Sequence, residues 1–408
     1  MAPWAKFVDL PGARCDLSWL YQAPTRRLSL DLPASMAVPL LDLKAQHATI
    51  REEVVAAIMP VVDGQTFILG EPVERLEREV ATLSNTKHAI GCANGTDAIL
   101  LALRALDVGP GDAVVTTPFT FFATAGAVHN VGARPVFADI EPGTFNLSTE
   151  AAAEAVRRTP EAKAVIAVDL CGQMAPIDAL AAALPDGMPI IEDAAQSIGA
   201  RRRVDGQWTR AGEIATIGTF SFFPSKNLGG YGDGGMTVTQ SDALDARLRR
   251  LRTHGSVKTY YHDEVGYNSR LDALQSVVLS AKLPHLEAWS AARRGNAQAY
   301  DAAFADLDGV RTPTIDPANE SIYNQYTLRV ERRDALQGFL RERGIGNSVY
   351  YPLPLHLQPC FAYLGYREGD FPESERAAKE VISLPVYPEL TDAQRDEVIS
   401  AVRAFYGR

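Results

Sequence analysis

One lysine lies in an apolar, glycine-rich stretch of the sequence, residues 219–235, and it is the only lysine there. Loss of hydration lowers the pKa of a lysine, and a neutral amine is the form that makes a Schiff base with an aldehyde. The glycines that follow Lys226 would let the backbone approach a flat ligand closely. The alternative is that Lys226 extends from a strand end into water, where most lysines lie.

The same stretch matches the G-x-G-x-x-G pattern of dinucleotide-binding proteins at residues 230–235. That pattern has functional meaning only between a strand and a helix that opens on it. Here residues 236–239 follow and alternate in the manner of a strand. We therefore interpret the match as coincidental and expect no dinucleotide at this position.

An aspartate ends another apolar run, residues 189–193. In an open α/β sheet, ligands bind at the carboxyl ends of the strands. An ionised Asp193 there could hold a protonated pyridine nitrogen and so keep a pyridoxal ring working as an electron sink. The alternative is that Asp193 only caps the turn that follows.

A turn at Asn94 and Gly95 separates a short strand pattern from a helix pattern. Free N–H groups and the positive end of the helix dipole suit such a turn to a phosphate, although Thr96 could simply cap the helix. After the next strand pattern, Phe121 could stack on a flat cofactor, or it could belong to the core with its neighbouring phenylalanines. Together with the aspartate and the lysine, these are the parts of a pyridoxal 5'-phosphate (PLP) site. They follow the chain order of the aspartate-aminotransferase-like (fold type I) enzymes.

Alternating strand and helix patterns must position these residues. The strand patterns are residues 89–92, 113–117, 134–138, 164–169 and 189–193, and the helix patterns between them are residues 97–106, 123–131, 149–158 and 177–184. Such alternation predicts parallel strands joined by helical crossovers, and therefore a doubly wound α/β sheet. Further helix patterns precede it at 46–62 and 71–83, and we expect a surface hairpin at 201–210.

The patterns divide the chain into three parts. Residues 1–35 have no sustained helical or strand period, so we expect a loosely attached N-terminal extension. Residues 36–288 would form the large, PLP-binding domain. A long helix pattern at 271–307, bent at Pro284, leads into residues 289–408, for which we predict a smaller C-terminal domain.

Composition excludes several classes of function. The net charge of −10 over 408 residues argues against a nucleic-acid or anionic-membrane surface. The four cysteines form no C-x-x-C pair and the seven histidines have no ligand spacing, so we expect neither a disulfide framework nor a metal site. No apolar run has membrane-spanning length and no signal peptide is evident, so we predict a soluble, cytoplasmic protein.

The chain resembles the DegT family of PLP-dependent sugar aminotransferases over residues 36–408. The matching segments include Cys-Ala-Asn-Gly-Thr-Asp at 92–97, Glu-Asp-Ala-Ala-Gln-Ser at 192–197, Ser-Phe-Phe-Pro-Ser-Lys at 221–226, and residues 38–46, 266–272 and 351–356. The resemblance implies the α/β architecture of PLP-dependent transferases of fold type I. In that architecture a large domain has a mixed, mostly parallel sheet sandwiched by helices, and a smaller C-terminal α/β domain follows.

The same resemblance implies roles for individual residues. Lys226 would be the Schiff-base lysine and proton carrier, and Asp193 the partner of the pyridine nitrogen. Gly95, Thr96 and Ser221 would contact the phosphate. Phe121 would stack on the ring face, and Gln196 would contact the ring hydroxyl. Asn268 would reach across from the neighbouring subunit to contact the phosphate. Tyr351 and His356 would lie near the sugar or nucleotide.

The loop before Asn268 also favours a homodimer with shared active sites. It is polar and rich in tyrosine, a composition typical of interfaces. A side-chain amide can contact a phosphate across a subunit boundary without leaving a buried charge when the site is empty. The alternative is that Asn268 caps the helix pattern that begins near Leu271.

The activity implied by the resemblance is transamination of a keto-sugar linked to a nucleotide diphosphate, which gives an amino sugar for glycan or secondary-metabolite biosynthesis. L-Glutamate would be the amino donor, and the cofactor would pass through pyridoxamine phosphate. Related dehydratases have histidine at the position of Lys226, which favours transamination, and the turn at 94–97 favours a 3-keto over a 4-keto sugar.

The identity of the sugar stays open. Many relatives have a histidine and a tyrosine, near the substrate, where this chain has Asp169 and Cys171. Two other functions also stay open: another fold type I reaction, such as that of a lyase or an amino-acid aminotransferase, and a non-catalytic PLP-binding regulatory protein.

Overall fold

A computed structural model of the chain describes residues 38–407. Their strands, in chain order, are β1 (His88–Cys92), β2 (Ala113–Thr116), β3 (Arg134–Phe137), β4 (Ala162–Val168), β5 (Ile190–Asp193), β6 (Arg201–Val204), β7 (Gln207–Arg210), β8 (Ile217–Ser221), β9 (Gly235–Thr239), β10 (Ser256–Lys258), β11 (Tyr261–His262), β12 (Val310–Arg311), β13 (Asn319–Glu320), β14 (Tyr326–Val330) and β15 (Val381–Leu384). Their α-helices are α1 (Leu43–Gly64), α2 (Glu71–Leu83), α3 (Gly95–Ala105), α4 (Ala123–Asn130), α5 (Thr149–Arg157), α6 (Ile177–Ala183), α7 (Asp242–Leu251), α8 (Ala273–Lys282), α9 (Leu286–Phe304), α10 (Arg333–Glu342), α11 (Pro372–Glu380) and α12 (Asp392–Phe405).

A seven-stranded sheet in the order β1-β9-β8-β5-β4-β2-β3 organises the larger part of the fold. β9 runs antiparallel to both of its neighbours, and the remaining neighbours in the sheet are parallel. Helices cover both faces. On β4, Ala164 and Ile166 pack with α3 and α4, while Val165 and Ala167 pack with α5 and α6. The predicted mixed, mostly parallel sheet between helices is confirmed.

The strand that follows the glycine-rich stretch decides the meaning of its G-x-G-x-x-G match. β9 begins at Gly235 and pairs with β1 and β8, so no helix opens on the glycines. A helix N-terminus is what binds a pyrophosphate in that motif. The interpretation of the match as coincidental is confirmed.

Local capping sets several helix boundaries. The carboxylate of Asp42 accepts hydrogen bonds from the N–H groups of Lys44 and Ala45, so α1 begins at Leu43, earlier than predicted. At α12, Thr391 and Gln394 form a capping box. The long helix pattern around Pro284 is divided into α8, a 3-10 turn (Leu283–His285) and α9.

The C-terminal part has its own buried cluster. Side chains of α9, β14, β15, α10 and α12 form it, and β12, β14 and β15 make a three-stranded antiparallel sheet. The division into a large and a smaller domain stays a prediction, and its predicted boundary at 288 lies inside α9. The predicted hairpin at 201–210 is formed by β6 and β7 and is extended by β13.

Two expectations about the rest of the chain have different outcomes. The N-terminal extension predicted for residues 1–35 lies outside the residues that the structure describes. Between residues 38 and 407, no helix combines the length and the apolar character that crossing a bilayer requires.

Candidate active site

Five parallel strands bring the predicted site residues to one edge of the central sheet. β1, β2, β4, β5 and β8 all end there, because parallel strands have their carboxyl ends on the same side. Asn94 follows β1, Phe121 follows β2, Cys171 follows β4, and Asp193 ends β5. Lys226 lies in the loop that leaves β8.

Lys226 is held in a tight turn and is half-buried. Its N–H donates to the carbonyl of Phe223 at 2.8 Å, and its side-chain amine makes no hydrogen bond within residues 38–407. Burial lowers the pKa of the amine to about 8, although the charges of Asp193 and Cys171 partly oppose this. A substantial neutral fraction at physiological pH makes Lys226 a nucleophile toward aldehydes.

The residue after the lysine anchors the turn to the C-terminal part of the chain. Asn227 is buried; its amide donates to the carbonyl of Ile322 at 3.0 Å and accepts from Asn324 at 2.7 Å. Sequence reasoning did not find this anchor. An asparagine beside a lysine has no local pattern that indicates a partner about a hundred residues away.

Asp193 ends β5 as a buried carboxylate with two donors. One oxygen accepts from the hydroxyl of Thr124 at 2.8 Å, and the other accepts from the N–H of Ala195 at 3.3 Å. The contact with Ala195 means that Asp193 also caps the turn after β5, as the alternative interpretation expected. Burial raises the pKa of Asp193, while Thr124, Ala195 and the charge of Lys226 oppose that rise. A cationic ligand group would therefore bind favourably here.

The N-terminus of α3 faces the end of β8. Asn94 is the cap, because its side chain accepts from the N–H of Asp97 at 2.9 Å; the alternative that Thr96 caps the helix is wrong. The N–H groups of Gly95 and Thr96 and the Thr96 hydroxyl have no partner in the described part of the chain. A β carbon on Gly95 would lie 2.6 Å from that of Ser221, so only glycine allows this approach.

Aromatic and amide groups line the other side of the site. The Phe121 side chain is 58% exposed and its ring centre lies 6.3 Å from that of Tyr351, whereas Phe119 is buried core. Gln196 accepts from the N–H of Cys171 at 2.7 Å and donates to the hydroxyl of Tyr351 at 3.1 Å. The structure thus joins the residues predicted for the ring and for the substrate.

Behind the site are two buried carboxyl groups that sequence reasoning did not pair, Asp169 directly after β4 and Glu192 on the neighbouring β5. Asp169 accepts from the N–H of Ala175 at 2.7 Å and from the hydroxyl of Ser197 at 2.6 Å. Glu192 accepts from the N–H of Gly212, but its Oε1 finds no donor among residues 38–407. Burial and the nearby Asp169 raise the pKa of Glu192, and burial raises the pKa of Asp169 to about 6.

Two predicted residues lie apart from this group. Asn268 is exposed and forms a bridge with Thr253, and α8 is capped at Asp272, so the alternative that Asn268 caps this helix is wrong. His356 is buried, with its Nε2 3.0 Å from Glu375 and its ring against Phe371. Its proposed contact with substrate stays a prediction.

The residues at this edge fit PLP. The free N–H groups of α3, the Thr96 hydroxyl and Ser221 suit its phosphate, and Asp193 suits a protonated pyridine nitrogen. The amine of Lys226 suits its aldehyde. Within residues 38–407, no group of three or more His, Cys, Asp or Glu side chains could hold a metal ion.

Comparisons with known proteins give a consistent result. The sequence model described as the DegT/DnrJ/EryC1/StrS aminotransferase family matches residues 48–403. The chain is 50% identical over 374 residues to a "Pleiotropic regulatory protein" of Geobacillus stearothermophilus, covering 91% of this chain and 99% of that protein. It is 44% identical over 368 residues to a UDP-N-acetyl-3-dehydro-alpha-D-glucosamine 3-aminotransferase of Acidithiobacillus ferrooxidans, covering 90% and 97%.

Solved structures share the fold. The crystal structure of DesV from S. venezuelae superposes with a TM-score of 0.87 at 41% identity, covering 91% of this chain and 99% of that chain. NtdA from Bacillus subtilis, solved with bound pyridoxamine phosphate, superposes with a TM-score of 0.82 at 27% identity, covering 93% and 87%.

Proposed function

The chain belongs to the DegT/DnrJ/EryC1/StrS aminotransferase family, and we propose that it transfers an amino group from L-glutamate to a 3-keto sugar carried on a nucleotide diphosphate. It is a PLP-dependent sugar aminotransferase. The observation that carries the proposal is the position of Lys226, whose pKa is about 8, at the sheet edge that also holds Asp193 and the N-terminus of α3. The relative whose name specifies a 3-aminotransferase supports the choice of a 3-keto sugar.

Each residue of the site has a task that follows from its contacts. PLP, when bound, supplies the electron sink that allows a proton to leave the carbon bearing the amine. Lys226, as a neutral amine, would bond to the aldehyde carbon of PLP with loss of water, and its amine, when free, would accept and return a proton as base and acid. Asp193, fixed by Thr124, would balance the positive charge of the pyridine nitrogen.

The phosphate and the ring have separate contacts. Gly95, Thr96 and Ser221 provide the phosphate contacts at the positive end of the α3 dipole. Phe121 would cover one face of the ring, and Gln196, held by Cys171 and Tyr351, would contact the ring hydroxyl. These assignments agree with the positions of the side chains and are part of the proposal.

We also propose that two chains complete each site. Asn268 lies exposed beside the hairpin of β10 and β11, whose tyrosines Tyr260 and Tyr261 are 91% and 61% exposed. Exposed tyrosines of this kind are typical of an interface core. In a homodimer, Asn268 would then contact the phosphate bound by the neighbouring chain.

A regulatory role is the second candidate, and the name of the relative from Geobacillus stearothermophilus favours it. A protein that only senses PLP needs the phosphate contacts and the lysine but has no need of a proton carrier.

The cytoplasm stays our predicted location; it agrees with Cys92, Cys171 and Cys360, which are free thiols.

The test is a pair of half-reactions. The PLP-loaded protein is first converted by L-glutamate to the pyridoxamine form, which changes its absorbance. It is then offered 3-keto and 4-keto sugars on UDP and dTDP, and the return of the original absorbance is followed. Recovery with a 3-keto nucleotide sugar supports the proposal. Recovery only with 2-oxo acids, or no reaction with any donor, contradicts it.

A further inference from the structure

A second lysine is buried beneath the loop that carries Lys226. Lys282, the last residue of α8, is only 2% exposed, and its ammonium group donates to the carbonyl of Gly229 at 2.7 Å. Gly229 is packed so closely on the turn before Lys226 that a β carbon there would lie 2.3 Å from the carbonyl oxygen of Pro224. A shift of Gly229 would therefore displace that turn.

The same ammonium group also fixes the far side of the loop. It lies 4.6 Å from the centre of the Tyr231 ring, a distance typical of a cation–π contact. The Tyr231 N–H donates to Gln275 at 2.8 Å, and its hydroxyl lies 2.5 Å from Nδ1 of His47 on α1. Lys282 thus connects to the loop at two points, Gly229 and Tyr231.

Burying an ammonium group here costs free energy unless new contacts compensate for its lost hydration. Burial lowers the pKa of Lys282 to about 8, although the charge of Glu389 partly opposes this. A leucine or methionine would fill the space without any loss of hydration. The contacts that the ammonium group gains in return are both with the loop of Lys226.

We propose that Lys282 is a positioning residue for Lys226. It holds the carbonyl of Gly229 and the ring of Tyr231, and so keeps the turn of residues 223–226 in the conformation that presents the Lys226 amine to the site. On the opposite side, Asn227 holds the same turn to Ile322 and Asn324. This inference rests on the proposed role of Lys226 as the residue that reacts with PLP.

The experiment compares Lys282→Met, which removes both contacts, with Lys282→Gln, which keeps an N–H donor on a side chain one bond shorter. Lys379→Met, at an exposed lysine of α11, controls for the loss of one positive charge. For each variant, PLP is added to apoprotein and the rate at which Lys226 becomes linked to it is measured by borohydride reduction and mass spectrometry.

We expect Lys282→Met to slow this linkage and to lower kcat by roughly tenfold to a hundredfold, because small displacements of a reacting group have effects of this size. The KM for the nucleotide sugar should change by less than about twofold, and Lys282→Gln should recover much of the rate. Lys379→Met should behave as the wild type. A Lys282→Met protein within twofold of the wild type in both rates overturns the proposal.

Hydrogen exchange adds a readout that does not depend on activity. The loop has internal hydrogen bonds from the N–H groups of Phe222, Lys226 and Gly230. Exchange in peptides covering residues 222–235 should become faster in Lys282→Met and stay slow in Lys282→Gln. Unchanged exchange in Lys282→Met also overturns the proposal. If the wild type forms the PLP linkage but aminates no keto-sugar, the proposed function fails while the linkage and exchange data still decide the role of Lys282.

Discussion

Gly95 and Ser221 touch where the N-terminus of α3 meets the end of β8: a β carbon on Gly95 would lie 2.6 Å from the β carbon of Ser221 and 3.0 Å from its hydroxyl oxygen. The contact aligns free N–H groups of α3 with a hydroxyl from a different strand. This close approach is possible only because Gly95 has a hydrogen atom in place of a side chain.

Gly95→Ala should therefore weaken PLP binding. Overpacking costs about 1–3 kcal/mol, which corresponds to roughly fivefold to 150-fold in the dissociation constant if the cost falls on the PLP-bound site. The measurement is a PLP titration followed by absorbance. Gly295→Ala on α9 is the matched control, since a β carbon there meets nothing within 4 Å. Equal PLP affinity in Gly95→Ala and the wild type would contradict this view of the phosphate site.

Asp193→Asn should keep PLP but lose most of the rate. A neutral amide cannot balance the charge of a protonated pyridine, and losing one partner of a buried ion pair costs roughly 3–5 kcal/mol. Stopped-flow absorbance of the half-reaction with L-glutamate should show a rate lower by more than about a hundredfold. Thr124→Val, which removes one hydrogen bond to Asp193, should have a smaller effect. An unchanged half-reaction in Asp193→Asn would leave Asp193 with only its capping role.

Glu192→Gln should change how stability depends on pH. The folded pKa of Glu192 is raised by burial, so its contribution is fully present below its ordinary pKa. As the pH rises above that value, the unfolded chain releases the proton while the folded protein retains it, and stability falls by about 1.4 kcal/mol per pH unit. This loss continues until the raised pKa is reached. Glutamine does not titrate and can still donate to Asp169.

The free energy of unfolding of Glu192→Gln, relative to the wild type, should thus increase as the pH rises above the ordinary pKa of a glutamic acid. Urea denaturation at several pH values measures it, with Glu52→Gln on the exposed side of α1 as the control. A relative stability that falls as the pH rises would mean that Glu192 is ionised in the folded protein.

Asn268 is best tested by complementation between two inactive proteins. Lys226→Ala and Asn268→Ala chains are mixed under conditions that exchange subunits, and heterodimer formation is verified with two affinity tags. If Asn268 acts across the interface, a heterodimer has one site with both lesions and one site with neither, so activity returns. If activity stays at the level of the separate variants, Asn268 serves its own chain.

The sequence predicts the functional residues at strand ends better than it predicts the residues that hydrogen-bond to them or fix their loops. Asp193 and Lys226 stand out because a charged group interrupts an apolar run at a sheet edge, and this signal is local. Thr124 donates to Asp193, and Asn324 donates to Asn227, the residue after Lys226; both donors are many residues away in the chain and could not be found from spacing. Lys282 ends a helix, where a lysine normally extends into water, so its burial depends on the packing of α8 against the loop.

The sequence also predicts a helix better than it predicts the residue that caps it. The sequence predicts the helix after β1 but offers Thr96 as its cap, whereas the backbone angles of the turn make Asn94 the cap. The pairing of Asp169 with Glu192 also needed the sheet, because it requires the register that sets β4 beside β5.

The central claim is that Lys226 is the residue that reacts with PLP, and Lys282 provides an internal comparison because burial lowers the pKa of both lysines to about 8. The protein is incubated with PLP, reduced with borohydride, digested and mapped by mass spectrometry. The account predicts a pyridoxyl group on the peptide with Lys226, its disappearance when L-glutamate is added before reduction, and no adduct in Lys226→Ala. A pyridoxyl group on Lys282 in the wild type, or an adduct that persists in Lys226→Ala, would contradict the account.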